Sequence, residues 1–137
     1  MSATPSQTVG PFYSIGLCRR PDDELAPEGV ELTGRLLDGQ GEPIVDGVVE
    51  VFDAATRRWG RSGTDADGRF RFLVPRDAQR LEAFVFARGL LRHQLTRIYL
   101  DGGAAAEDET LVAQHDGDGF RFDIRMQGDR ATLFFAH

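Results

Sequence analysis

The chain contains no lysine. Its sixteen cationic side chains are all arginine, set against 22 Asp and Glu, for a net charge of -6. Nothing basic is clustered enough to grip a phosphate backbone, which argues against a nucleic-acid partner. The surface is acidic and soluble, and every cationic site carries the planar fork that suits carboxylates. Cysteine is almost absent: Cys18 is the only one, so neither an internal disulfide nor a thiolate metal cage can form. Its neighbours Arg19 and Arg20 would lower its pKa somewhat, but a chance surface thiol is the simpler reading. No apolar run approaches the length of a membrane span, and no basic-then-apolar segment opens the chain. Together these absences predict a cytoplasmic protein without a membrane partner.

Ligating and nucleophilic residues are scarce as well. The histidines are His93, His115 and His137, and no two stand at i, i+2 or i, i+4. One strand or helix face therefore cannot present two imidazoles, and solvent-facing or hydrogen-bonded histidines are expected. Ser6, Ser14 and Ser62 have no local His and Asp partners for nucleophilic catalysis. The only tyrosines are Tyr13 and Tyr99.

What the chain has is the grammar of short strands. At 137 residues, 41% of them hydrophobic, it is one domain's worth with enough apolar surface for a core. Residues 1–29, broken by Pro5, Pro11, Pro21 and Pro27, read as an N-terminal arm and linker, and residues 30–137 as the domain. Val30, Leu32, Gly34 and Leu36 alternate with polar residues, as a half-buried strand requires. Asp38 to Pro43 is a turn cluster, and Val48 to Phe52 is the next strand. Asp65-Ala66-Asp67-Gly68 predicts a hairpin turn before Arg69–Phe72, and Asp116-Gly117-Asp118-Gly119 repeats the pattern before Phe120–Arg125. A calcium loop is the alternative for the first of these, but the distant Glu it needs is missing. Ala83–Ala87 is a continuous apolar strand, Leu95–Leu100 another, and Ala131–Phe135 the last. The Ala-rich stretch from Gly102 to Asp108 leaves room for one short helical turn. About seven or more short strands with these turns predict an all-β protein, an antiparallel β-sandwich with an extended N-terminal arm.

Two further features carry functional weight. Trp59, between Arg58 and Gly60, is either core or a stacking partner for an arginine. Arg88 emerges at the end of the apolar strand, where sandwiches carry function, and its fork could hold a carboxylate. A surface salt bridge is the alternative.

Four stretches resemble the alpha chains of the intradiol ring-cleaving dioxygenases. They are the arm Thr4-Pro5-Ser6-Gln7-Thr8-Val9-Gly10-Pro11-Phe12-Tyr13, the segment Gly60–Phe72, the run Phe86-Ala87-Arg88-Gly89 with Leu95–Leu100, and Phe120–Gly128. The resemblance implies a subunit of an enzyme that opens catechol-type rings with iron(III) and dioxygen. Catalytic chains of that family hold iron with two Tyr and two His, written in part as His-x-His on the strand before the Thr-x-x-Tyr strand. Here that strand, Arg80-Leu81-Glu82-Ala83-Phe84-Val85, has no His, and the Tyr-bearing insertion after Val49–Phe52 is gone. The resemblance therefore implies a chain that holds no metal and has no catalytic residue of its own. The iron would belong to a catalytic beta chain in a larger hetero-oligomer. By the same resemblance Thr8, Gly10, Pro11 and Phe12 would be pocket wall for an aromatic dihydroxy acid, with Arg88 near it. The competing reading is a transthyretin-like or carboxypeptidase-regulatory-like binding module, which shares the Val30–Phe72 hairpin grammar but has no use for the arm.

Overall fold

The computed structural model describes residues 22–87, 93–100, 106–127 and 131–135. Among the described residues nine strands run in chain order: β1 (Val30–Leu37), β2 (Val48–Asp53), β3 (Arg58–Gly63), β4 (Arg69–Val74), β5 (Arg80–Phe86), β6 (Gln94–Tyr99), β7 (Gln114–Asp116), β8 (Gly119–Arg121) and β9 (Ile124–Arg125). They form two sheets, one ordered β4-β1-β8-β7 with β9 also on β1, the other ordered β3-β2-β5-β6. The expected sandwich is thus present. Its pairing is antiparallel except where β8 and β9 run parallel to β1. Among the described residues no helix is long and apolar enough to cross a membrane.

Alternation does most of the building. Successive strand residues point to opposite faces, so each strand sends every second side chain inward. Leu32 and Leu36 of β1, Phe70 and Phe72 of β4, Val49 and Val51 of β2, Leu81, Ala83 and Val85 of β5, and Ile98 of β6 meet in one core. Residues just before β1 join it: Leu25 is buried in the core, and Glu24 bridges Leu73.

The turns use the chemistry expected of them. Asp38 Oδ1 accepts from the backbone N–H groups of Gln40 and Glu42. Asp65 Oδ1 does the same for Asp67 and Arg69. The outcome at Asp65 differs from the expectation, however. β3 and β4 lie in different sheets, so this turn crosses the sandwich and closes no hairpin. Thr64, just before it, fixes the crossing: its hydroxyl donates to Ile44 O and accepts from Gly47 N, each at 2.8 Å. The Asp116–Gly119 turn does join paired strands, β7 and β8.

Three other elements depart from the pattern. β3 has little strand propensity in Arg-Trp-Gly-Arg-Ser-Gly, but it pairs with β2 along its whole length. The expected strand at 120–125 is split. Asp123 Oδ1 accepts the Arg35 N–H at 3.0 Å, a place in the ladder that a carbonyl would otherwise take. Residues 131–135 are extended but make only an isolated bridge between Phe135 and Leu95. The helical turn anticipated at 102–108 falls largely outside the described residues; a 3-10 turn follows it at Glu109–Leu111, capped by Asp108.

Gly34 is where β1 admits its neighbours. A Cβ there would stand 1.8 Å from Phe122 O and 2.7 Å from the Phe70 ring. Gly34→Ala should therefore destabilise the fold by about 3 kcal/mol, as overpacking against backbone does. Gly117, with φ of 59° and open space around its Cβ position, is the control. Its replacement by Ala should cost only about 1 kcal/mol, the left-handed penalty. Urea denaturation of the two variants checks both values.

Candidate functional site

Thr8, Gly10, Pro11, Phe12 and Arg88 lie outside the described residues, as do Cys18 and His137. What the structure does place is the surface onto which Arg88's strand leads, the outward face of the sheet β3-β2-β5-β6.

That face differs from its counterpart across the sandwich. The outward residues of β1 and β4 are Glu31, Thr33, Arg35, Arg69, Arg71 and Leu73, an ordinary solvated set. On the second sheet, register puts Trp59 beside Phe52, Arg61 beside Glu50, Phe84 beside Leu95, and Val48 beside Phe86. Val48 and Phe86 are 0% and 5% exposed although they point away from the main core, and with Phe84 they form a second apolar cluster. His93 packs on both rings, 5.2 Å from Phe84 and 5.4 Å from Phe86. A continuous apolar run such as Ala83–Ala87 is what a strand covered on both faces looks like. That run was the available signal for this surface.

Arg61 and Arg97 on this face are both held in ion pairs. Arg61 is 6% exposed; its Nε donates to Glu50 Oε2 at 2.7 Å and its Nη2 reaches the same oxygen. The guanidinium also lies 5.3 Å from the Trp59 ring, so the stacking reading of Trp59 holds, with the indole 44% exposed. Arg97 bridges Glu82 at 3.2 Å and Glu107, and covers the Phe135 ring at 4.4 Å. Tyr99 Oη donates to Glu107 Oε1 at 2.7 Å. That hydrogen bond, with further help from backbone and from Arg97, holds the Glu107 carboxyl below the usual carboxylate range. The Glu82 and Glu107 carboxylates raise Arg97 despite the opposing effect of burial.

This face is thus a surface of packed rings and ion-paired charges. It also does not fit an iron ion. The outward positions of β5 are Glu82, Phe84 and Phe86, and the two phenylalanines are committed to the ring cluster. Among the described residues no three His, Cys, Asp or Glu side chains converge. The Gly60–Phe72 segment proves structural in its parts: Thr64 and Asp65 tie loops, and Gly60 makes room for Leu25.

No family model matches the chain. A protocatechuate 3,4-dioxygenase alpha chain from Burkholderia cepacia is 31% identical over 192 residues, covering 98% of this chain and 98% of that one. An alpha chain of the same name from Pseudomonas putida is also 31% identical over 192 residues, covering 96% and 95%. Both alignments are longer than the 137 residues of this chain, so the relatives carry stretches that it lacks. Among solved structures, the dioxygenase domain of a dioxygenase and carbohydrate-binding fusion from Streptomyces sp. SirexAA-E shares the fold. It has a TM-score of 0.57 at 22% identity and covers 93% of this chain and 99% of that chain.

The Glu107 tether has a definite pH signature. A carboxyl whose pKa is lowered by folding stabilises the fold fully above its unfolded value, and the contribution is lost as pH falls through the folded value. The ordinary value here is 4.5, so Glu107→Gln should lower the thermal midpoint at neutral pH. The gap between variant and wild type should close as pH drops below that value. Thermal melts of both proteins from neutral to acid pH check this.

Proposed function

Because the chain belongs to the family of protocatechuate 3,4-dioxygenase alpha chains, we propose that it is the non-metal-binding alpha subunit of an iron(III)-dependent intradiol dioxygenase. On this reading the enzyme opens the ring of a catechol-type dihydroxy acid with dioxygen, and a catalytic beta chain holds the iron. The chain alone is inactive and works in a cytoplasmic hetero-oligomer. The observation that carries the reading is a likeness running the whole length of both chains, 98% of each. The binding-module alternative leaves the arm without a purpose. The ring cluster of Phe84, Phe86 and His93 supports a chain that lends surface and leaves ligation to another.

Residues 1–29 then serve as arm and linker, anchored where Leu25 enters the core, and residues 30–137 form the sandwich. Thr8, Gly10, Pro11 and Phe12 line the substrate pocket over the partner's iron, with Gly10 allowing close backbone approach to the ring. Pro11 and Phe12 exclude water from the ring, and Arg88 holds the substrate carboxylate with its planar fork.

Co-expression with a beta-type chain tests the assignment. The pair should consume dioxygen with protocatechuate, and neither chain should do so efficiently alone. Stoichiometric ferric iron on the purified alpha chain, with a visible tyrosinate-to-iron band, would overturn it. Within the active pair, Arg88→Ala should lower kcat/KM for protocatechuate by about one to two decades, the cost of a lost charge-assisted hydrogen bond, with iron content unchanged. Catechol, which has no carboxylate, should suffer far less. Phe12→Ala should impair both substrates alike. Equal losses on both substrates in Arg88→Ala would make that arginine an interface strut.

A further inference from the structure

Asp22–Ala26 lies along the seam between the two sheets, on the side where β3 and β4 are the outer strands. Stacked sheets stand about 10 Å apart, too far for backbone hydrogen bonds from one to the other. This segment bonds to both. Asp22 O accepts from Arg61 N of β3 at 2.8 Å. Asp23 O accepts from Leu73 N of β4 at 2.9 Å, and Leu73 O accepts from Leu25 N and Ala26 N at 2.9 and 3.2 Å. Side chains repeat the pattern: Arg58 Nη1 of β3 donates to Leu25 O at 3.1 Å, and Arg71 Nη1 of β4 reaches Asp23 Oδ2 at 3.4 Å.

One apolar side chain seats the segment. Leu25 is 4% exposed and enters the core beside Gly60. A Cβ on Gly60 would stand 2.4 Å from Leu25 Cδ1, 3.0 Å from Asp22 O and 3.4 Å from Leu25 Cγ, so the missing side chain is space given to this segment. A short turn then leads into β1, Gly29 N donating to Ala26 O at 2.8 Å, which seats the segment on its own sandwich. An edge strand with unpaired N–H and C=O groups invites pairing with another chain. While seated, the segment occupies Arg61 N and both backbone groups of Leu73.

We propose that Asp22–Ala26 is a clasp, seated and released as one unit while the sandwich stays folded, and that seating it closes the β3 and β4 edges. The asymmetry of its attachments sets this behaviour. With the clasp open, both sheets keep every strand pairing, since β3 pairs along its whole length with β2, and β4 pairs with β1. The clasp's own hold is one leucine, a few hydrogen bonds and an ion pair. Segments with few buried apolar contacts open at less than the free energy of global unfolding. Residues 1–21 precede the clasp, so its opening moves their point of attachment from Asp22 at the seam to the start of β1. The clasp needs no beta chain and does not depend on the dioxygenase assignment.

Native-state hydrogen exchange of the full chain, read by NMR in low urea, tests the clasp. In wild type the Arg61 and Leu73 amides should open with one shared free energy and little urea dependence. The Leu36 and Phe122 amides, bonded to Gly68 O and Thr33 O, should open more rarely and with steep urea dependence. Leu25→Asp should hold the clasp open, because a carboxylate without a partner does not stay in an apolar seat. Arg61 and Leu73 should then exchange close to the unfolded-chain rate, while Leu36 and Phe122 stay protected about a thousandfold and the sheet circular dichroism persists. Gly60→Ala, whose methyl meets the clasp first, should speed exchange at Arg61 and Leu73 together by about 10- to 100-fold in a folded protein. Wild-type Arg61 and Leu73 amides that open only together with Leu36 and Phe122, or with unequal free energies, would overturn the proposal. So would Leu25→Asp and Gly60→Ala proteins that both lose the sandwich, or that leave Arg61 and Leu73 as protected as before.

Discussion

Both sides of β1 are committed, and the first sheet depends on that. One edge of the strand pairs with β4 from Val30 to Arg35; the other takes β8 at Leu32 and Thr33 and β9 at Leu36 and Leu37. A strand so placed joins the beginning of the chain to its end, so its backbone groups are satisfied only when residues some ninety positions away arrive in register. Gly34 makes that approach possible, because Phe122 O occupies the space a side chain would need. The inward leucines Leu32 and Leu36, both 0% exposed, are fixed by this pairing and in turn set the depth of the core.

The second sheet hangs from the first through few links, and its outward face is correspondingly distinctive. Thr64 and the Asp65 turn carry the chain across, and Asp22 to Ala26 brace the β3 edge and the end of β4. On the outward face Arg61 and Arg97 are each answered from a neighbouring strand. Cross-strand neighbours such as Glu50 with Arg61 and Glu82 with Arg97 interact directly: Arg61 reaches its carboxylate through Nε and Nη2, and Arg97 Nε lies between both Glu82 oxygens. An ion pair as enclosed as Arg61 with Glu50 adds little net stability over an apolar pair, because desolvation offsets attraction. Its effect is to fix orientation: Arg61 holds the Trp59 ring in place, and Arg97 stands over Phe135.

The chain is shorter than its alignments with the alpha chains and still closes both sheets. Turn residues tie its loops together, among them Thr64 and Asp65. The outward positions of β5, where ligation would require imidazoles, hold rings that pack on His93.

The sequence by itself determined where most strands lie and how the turns between them are made, since both rest on local physics. Period-two alternation marks β1 and β4, and Asp with Gly at a turn works the same way whatever lies beyond it. The continuous apolar run at 83–87 also announced a strand covered on both faces. β3 was not legible, because Arg-Trp-Gly-Arg-Ser-Gly has no propensity of its own and becomes a strand only when β2 offers a full edge. Nor could local pattern reveal that the Asp65 turn crosses between sheets, or that Asp123 divides β8 from β9 by capturing the Arg35 N–H. The candidate site divided in the same manner. The arm and Arg88 were conspicuous in the sequence through composition and resemblance. Trp59, Arg61 and Glu50 became a unit only through register, because adjacency across strands is a property of pairing that no single segment contains.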